Sequence, residues 1–345
     1  MRTLVSIQKI AKIEPIEWAD AIELVLIKGW QCVAKKGEFK EGEKCVYFEV
    51  DSFLPVDDER YEFLRKKSYR KNEFMGEGFR IKTISLKGKI SQGLALPIRN
   101  FPEITDTIIG TDLTDLLRVR KWDLPEQVSN SGIDIGEKPY SIPTTDETRL
   151  QSMPEFIQEF KGKPYYISTK MDGTSCTIYV KDGKVGVCGR NKEYKEDVKS
   201  CSMWAWVHKR GLAEKLLELK EDIAIQGEFC GHGIQKNPLR LLEANLFVFD
   251  IVKLGDDRGR PKVGLKELHN YCKRLKIDTV PIEEIGEAFD YTLEELLEKA
   301  KGNYPSGVAK EGIVVRTQGF CHNPQLNHKM SFKVINNDFL KRQKD

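Results

Sequence analysis

Short apolar runs alternate with polar turns over the first hundred residues. Ile22–Ile27 ends at Lys28-Gly29, Trp30–Ala34 follows, and the turn-like stretch Lys36–Glu43 leads into Cys45–Val50. Phe79–Ile84 and Gly93–Pro97 have the same character. Short strands at this spacing, with Gly-rich turns between them, predict an all-β domain folded as a small five-stranded barrel over residues 1–125. Barrels of this kind offer a groove that oligonucleotides often occupy.

Pro125, Gly132, Gly136, Pro139 and Pro143 then punctuate an irregular stretch, read as a linker over 126–144. From 145 to 345 the pattern mixes periods of two and of 3.6. Thr145–Leu150, with an N-cap residue and acids behind it, predicts the start of a helix. Strands are expected at 164–170, 174–180 and 184–189, the last two joined by the hairpin signal Lys181-Asp182-Gly183-Lys184. A helical stretch over 196–219 is interrupted at Gly211. Strands recur near 223–229, 245–252, 279–282, 311–317 and 329–335, with helices at 264–275 and 292–301. This order predicts an α+β domain built on antiparallel sheets.

Composition narrows the class. A chain of 345 residues with 40% apolar and 32% charged residues can build two cores and stay soluble. No apolar run approaches the roughly 20 residues of a membrane helix, and the N-terminus is charged where a signal peptide is apolar. The eight cysteines include no Cys-x-x-Cys pair, and the five histidines are scattered. Reduced thiols of an intracellular protein are expected, and no zinc site.

The net charge of +3 hides a local bias. Residues 60–89 hold ten Lys or Arg against three acids, with Tyr61, Phe63, Tyr69, Phe74 and Phe79 interleaved. Basic groups neutralise phosphates and aromatic faces stack on bases, so this stretch is a candidate nucleic-acid contact. The plain alternative is a solvated charged face over core aromatics.

Candidate chemistry gathers in the second half. Lys170-Met171-Asp172-Gly173 stands where a strand gives way to a turn. A lysine there points from a rigid element into whatever cleft the sheet floors. Asp172 lies on the same side and could steer the ammonium or a metal, and Gly173 permits close approach of a phosphate. Glu228 ends the strand Ile223–Gln226, and Phe247 and Phe249 share one face of an aromatic strand. Glu311 precedes the apolar strand Gly312–Val315, and Lys329, Ser331 and Lys333 alternate onto one face of a late strand. Together these supply a nucleophile, three carboxylates, an aromatic plate and two cations.

That set, in that order, resembles the covalent nucleotidyltransferases, the superfamily of polynucleotide ligases and mRNA capping enzymes. Lys170 to Gly173 looks like its motif I, and Cys188-Gly189-Arg190-Asn191 like the arginine-bearing segment after it. Gln226-Gly227-Glu228 resembles motif III, and Phe247 to Ile251 motif IIIa. Glu311 to Val315 is similar to motif IV, and Ser331-Phe332-Lys333 to motif V. DNA ligases and capping enzymes carry a further barrel after motif V, and here twelve residues follow Lys333. The expectation is therefore the RNA ligase branch. The segments Val33–Phe39 and Ser91–Leu94 resemble the OB domain that precedes the transferase domain in the fifth RNA ligase family. One departure stands out: many RNA ligases have Lys-x-Lys in motif V, and here Ser331 takes the first position.

The resemblance implies an ATP-dependent RNA ligase that joins 5′-phosphate to 3′-hydroxyl ends, a nicked duplex being one candidate substrate. It implies Lys170 as the nucleophile that takes AMP. Asp172, Glu228 and Glu311 would hold Mg2+ or Mn2+, mainly through water. Lys333, Lys329 and Arg190 would meet phosphate charge, Gly173 would line the nucleotide, and Phe249 would stack on adenine, with Phe247 as its alternative. Two other readings stay open: a GTP-dependent capping-type nucleotidyltransferase, and a non-catalytic RNA-binding protein. Neither a membrane nor a protein partner is indicated.

Overall fold

A computed structural model describes residues 3–123, 133–254, 262–319, 322–323 and 328–342. The chain divides into two compact units. One comprises Met1–Glu126 with Gln151–Pro154 and Leu340–Asp345, the other Gln127–Leu150 with Glu155–Phe339.

The first unit is all β apart from short helical turns, and its strands do not close into a barrel. Val5–Lys9, Lys44–Phe48 and Leu94–Pro97 form one antiparallel sheet, and Lys12–Pro15, Ile22–Ile27 and Trp30–Lys35 another. Ser52–Pro55, Gly76–Arg80, Tyr69–Asn72 and Arg120–Lys121 make a third sheet, and Ile84–Leu86 with Lys89–Ser91 a small fourth. The expected closure fails because the corners carry isolated hydrogen bonds instead of ladders. The Gly42 N–H donates to the Ile10 carbonyl at 2.9 Å, and the Gln92 N–H to the Gln31 carbonyl at 2.7 Å. The basic stretch is partly structural. Tyr61 and Phe79 are fully buried, whereas Phe63 and Phe74 are more than 60% exposed. Arg60 is held by Asp58 and Glu103, each at 2.6 Å.

The second unit is built on two sheets. The larger runs Asp134–Glu137, Lys192–Tyr194, Lys184–Cys188, Thr174–Lys181, Ile223–Cys230, Asn245–Lys253 and Asp278–Thr279, antiparallel except at the last pair. The smaller runs Thr148–Arg149, Ser331–Ile335, Gly312–Thr317, Tyr165–Lys170 and Ile282–Gly286, antiparallel except at the first pair. The Lys181–Lys184 hairpin forms as expected, with Asp182 and Gly183 both at positive φ. The 196–219 stretch becomes two helices, Ser202–Lys209 and Leu212–Glu218, parted at Gly211. No helix forms over 145–149. Thr148 and Arg149 instead pair beside Phe332 and Lys333, and this long-range pairing overrides a local capping signal.

Period-two alternation sorts each sheet into two faces. In the larger sheet Ile225, Phe229, Leu246, Val248 and Ile251 pack with the helices Ser202–Lys209, Leu212–Glu218 and Leu265–Leu275. In the smaller one Tyr165, Ile167, Ile313, Val315, Phe332 and Val334 form the core with Leu296 and Phe160. The helix Leu293–Lys299 is set by a capping box, Thr292 with Glu295. The residues left on the opposite faces, Glu228 and Phe247 in one sheet and Ser168, Lys170, Arg316, Ser331 and Lys333 in the other, are the polar and aromatic ones. Among the described residues no helix is long and apolar enough to cross a membrane. Seven cysteines are free and buried, while Cys321 lies outside the described residues.

Candidate active site

Lys170 is the last residue of its strand in the smaller sheet, and Thr174 the first of the next strand in the larger one. The turn between them carries the chain from one sheet to the other. Gly173 lies so close to the neighbouring strand that a Cβ would sit 2.4 Å from the Phe229 carbonyl oxygen and 2.6 Å from the Cys230 sulfur. Its need for glycine thus comes from sheet packing at the crossing.

Three carboxylates surround the lysine. Its Nζ lies 2.7 Å from Oε2 of Glu311. Glu228 accepts from the Gly173 N–H at 3.1 Å, which fixes it against the turn. Burial pushes the Glu228 carboxyl up to about 7, with Lys170 opposing and Glu311 adding to the rise. Burial, then Glu311, pushes Asp172 up to about 6. Burial opposes the Lys170 ammonium, but Glu311 and Glu228 outweigh it and hold its pKa above the ordinary lysine value. Among the described residues no three His, Cys, Asp or Glu side chains converge closely enough to ligate a metal directly.

Lys333 is half-buried beside Val314, with Arg149 next to it in parallel register. Burial, with Lys170 and Arg149 nearby, lowers its pKa to about 8. Arg190 is held 2.7 Å from Asp146, which also supports the Lys333 charge. The Lys329 side chain lies outside the described residues.

Phe249 occupies a β-bulge. Gln226 pairs with Asp250 and Gly227 with Val248, so Phe249 is the extra residue. A bulge re-aims the side chains around it. Here it leaves Phe249 half-buried and turns Asp250 away from the helix-covered face. Asp250 pairs with Lys262 and lies 3.9 Å from Arg316, whose guanidinium sits 5.5 Å over the Phe249 ring.

Several contributors escape sequence reasoning. The Tyr304 hydroxyl donates to the Lys170 carbonyl at 2.7 Å and accepts from the Glu311 N–H at 3.1 Å. Nothing in the turn Asn303–Gly307 signals that role. Arg316 donates to Ser168 and to Glu147, both at 3.2 Å, and Ser331 donates to the same Glu147. An arginine inside the apolar run Gly312–Thr317 was the available signal for this buried network. Ser331, where many RNA ligases have lysine, is thus a partner of Glu147.

A seven-stranded and a five-stranded sheet meeting at a lysine ringed by carboxylates define a ligase domain, preceded here by a β-rich one. The chain belongs to the RNA ligase family, whose model matches residues 163–335, and an OB-fold domain model matches residues 4–98. Naegleria gruberi RNA ligase, as a lysine-to-alanine mutant with ATP and Mn, is 35% identical, covers 99% of each chain and superposes with a TM-score of 0.88. The same enzyme with pyrophosphate is 36% identical over 100% of each chain, TM-score 0.87. A lysine-to-methionine mutant with AMP and Mn gives 36%, 100% of each chain and 0.88. No curated protein sequence matches the chain.

Proposed function

We propose that this ligase uses ATP to join a 5′-phosphate RNA end to a 3′-hydroxyl end through a lysyl-AMP on Lys170. One observation carries the reading: Lys170 Nζ lies 2.7 Å from Glu311 at the crossing of two sheets, with Asp172 and Glu228 beside it. The relatives held with ATP and Mn, or with AMP and Mn, support the same nucleotide and metal class here. The paired antiparallel sheets support a nucleotidyltransferase fold over 145–345, with an OB-like domain over 1–125 and a linker over 126–144.

In the first step Lys170 Nζ attacks the α-phosphorus of ATP. A P–N bond forms, the α–β bridging P–O bond breaks and pyrophosphate leaves. The lysine must first lose a proton, and Glu311 lies within reach to take it. The surrounding carboxylates favour the ammonium instead, so the site carries more negative charge than this chemistry wants. That surplus fits a divalent cation held through water by Asp172, Glu228 and Glu311, which would disfavour the ammonium and offset charge at the α-phosphate. Lys333, with Lys329 and Arg190 as its expected companions, supplies fixed positive charge for the phosphates. Phe249 stacks on adenine, and Gly173 keeps the turn close beneath the nucleotide. AMP then passes to the RNA 5′-phosphate, and attack of the 3′-hydroxyl releases it. A nicked duplex is the substrate to try first.

Intact mass after incubation with ATP and magnesium, beside GTP and a Lys170→Ala variant, tests this. One AMP gained from ATP alone, and none in the variant, is expected. A gain of GMP would move the reading to capping chemistry. No adduct in any arm, on protein that carried none beforehand, would overturn it.

A further inference from the structure

The strands Ile223–Cys230 and Asn245–Lys253 are joined by a loop of unusual backbone. Gln235, Asn237 and Arg240 have φ of 49°, 44° and 54°, three non-glycine residues in the left-handed region within six positions. Such conformations persist where the surroundings over-determine them, and they cluster at functional sites. Here the inner side of the loop is fastened at several points. The Asn237 amide donates to the Leu241 carbonyl at 2.9 Å and accepts from the Leu241 N–H at 3.1 Å. Ser306 donates to the Pro238 carbonyl at 2.6 Å. Leu239 and Leu241 pack against Met171 and Tyr304. Gln235 Nε2 donates to the Gly173 carbonyl at 3.3 Å, tying the loop to the turn that follows the nucleophile.

The outer side is different in kind. Lys236 and Arg240 face solvent, and Leu242 is 96% exposed. Among the described residues neither cation has an ion-pair partner, while the nearby acid Glu243 is taken up by Lys209 at 2.7 Å. A rigid loop, anchored to the reacting turn, therefore presents two unneutralised cations and a bare apolar side chain. Cations on fixed backbone suit phosphates, which position a nucleic acid without reading its sequence.

We infer that this loop clamps the RNA strand at the reacting end: Lys236 and Arg240 neutralise two backbone phosphates, and Leu242 covers the adjoining sugar or base. The inference rests on the ligase reading above and adds to it a substrate-contacting element that no motif marks.

The test is the pair Lys236→Ala/Arg240→Ala, with Leu242→Ala and Arg240→Lys alongside. All three side chains are exposed, so melting temperatures should match the parent. Lysyl-AMP formation from ATP without RNA should stay within about twofold. Binding to a nicked RNA duplex should weaken by about tenfold or more, with the slope of log affinity against log salt falling by about 1.8, two phosphates' worth. Arg240→Lys should keep the parental slope, and Leu242→Ala should weaken binding without changing it. Unchanged affinity and slope in the double variant would overturn the clamp. So would an equal fall in lysyl-AMP formation, since the loop would then act on the turn and not on RNA. If the parent itself forms no lysyl-AMP, the ligase reading is what has failed.

Discussion

Lys170 and Glu311 form an ion pair across the end of a ladder: Lys170 closes its strand opposite Gly312, and Glu311 stands one residue before that neighbour begins. Beyond this last rung the Tyr304 hydroxyl bridges the Lys170 carbonyl and the Glu311 N–H. The backbones of Lys170 and Glu311 are thus bridged by one phenol.

Tyr304→Phe keeps the buried ring and removes that bridge. Two half-buried backbone groups lose this partner, a cost of about 1–3 kcal/mol. Lysyl-AMP formation should slow about tenfold while ATP affinity changes by less than about twofold. Single-turnover rates beside equilibrium ATP titration separate the two, and a parallel loss in both would mean the hydroxyl serves only the fold.

Glu228 should set stability against activity. Its carboxyl is pushed up to about 7 and that of Asp172 to about 6. Each binds its proton more tightly in the folded chain than in the unfolded one. Their contribution to stability is therefore present in acid and lost as pH rises through 6 to 7. Glu228→Gln, a neutral stand-in for the protonated form, should raise the melting temperature at pH 8 by about 2–4 °C and give no gain at about pH 3.5, below the unfolded carboxyl's value. Lysyl-AMP formation should fall about 100-fold or more. Melting curves of parent and variant at both pH values check the sign.

Lys333 runs the other way. Its pKa is lowered to about 8, so the free enzyme loses this cation as pH rises through that value. ATP affinity should weaken above pH 8, and Lys333→Arg, whose charge persists, should keep its affinity to higher pH. Calorimetric titration across pH 7 to 9.5 reads the difference; identical profiles would remove Lys333 from the phosphate site.

Phe249→Ala should weaken ATP binding by about 5- to 150-fold, the span of one stacked base at about 1–3 kcal/mol. Phe247→Ala, at a regularly paired position, should cost less. The reverse order would exchange their roles.

The strand alternation around Lys170, Glu228 and Lys333 was legible because it is local and repeats every two residues. So was the Asp182-Gly183 hairpin, where a two-residue turn demands positive φ. The helix expected over Thr145–Leu150 was misread because Arg149 answers to Lys333, 184 positions along the chain. The barrel was misread for a related reason: pattern shows strands but not which edges meet. Tyr304 and the Phe249 bulge were invisible, since a hydroxyl's partners and an extra residue in a ladder depend on the neighbouring strand.

Only Met171, Asp172 and Gly173 separate the end of the strand Tyr165–Lys170 in the five-stranded sheet from the strand Thr174–Lys181 in the seven-stranded one. Lys170 and Lys333 belong to one sheet, Glu228 and Phe249 to the other. A partly folded chain that has assembled either sheet alone holds half of the residues and none of their geometry. Charging with nucleotide is therefore reserved for molecules that have finished folding this unit, and no fragment cut at the crossing would retain the chemistry.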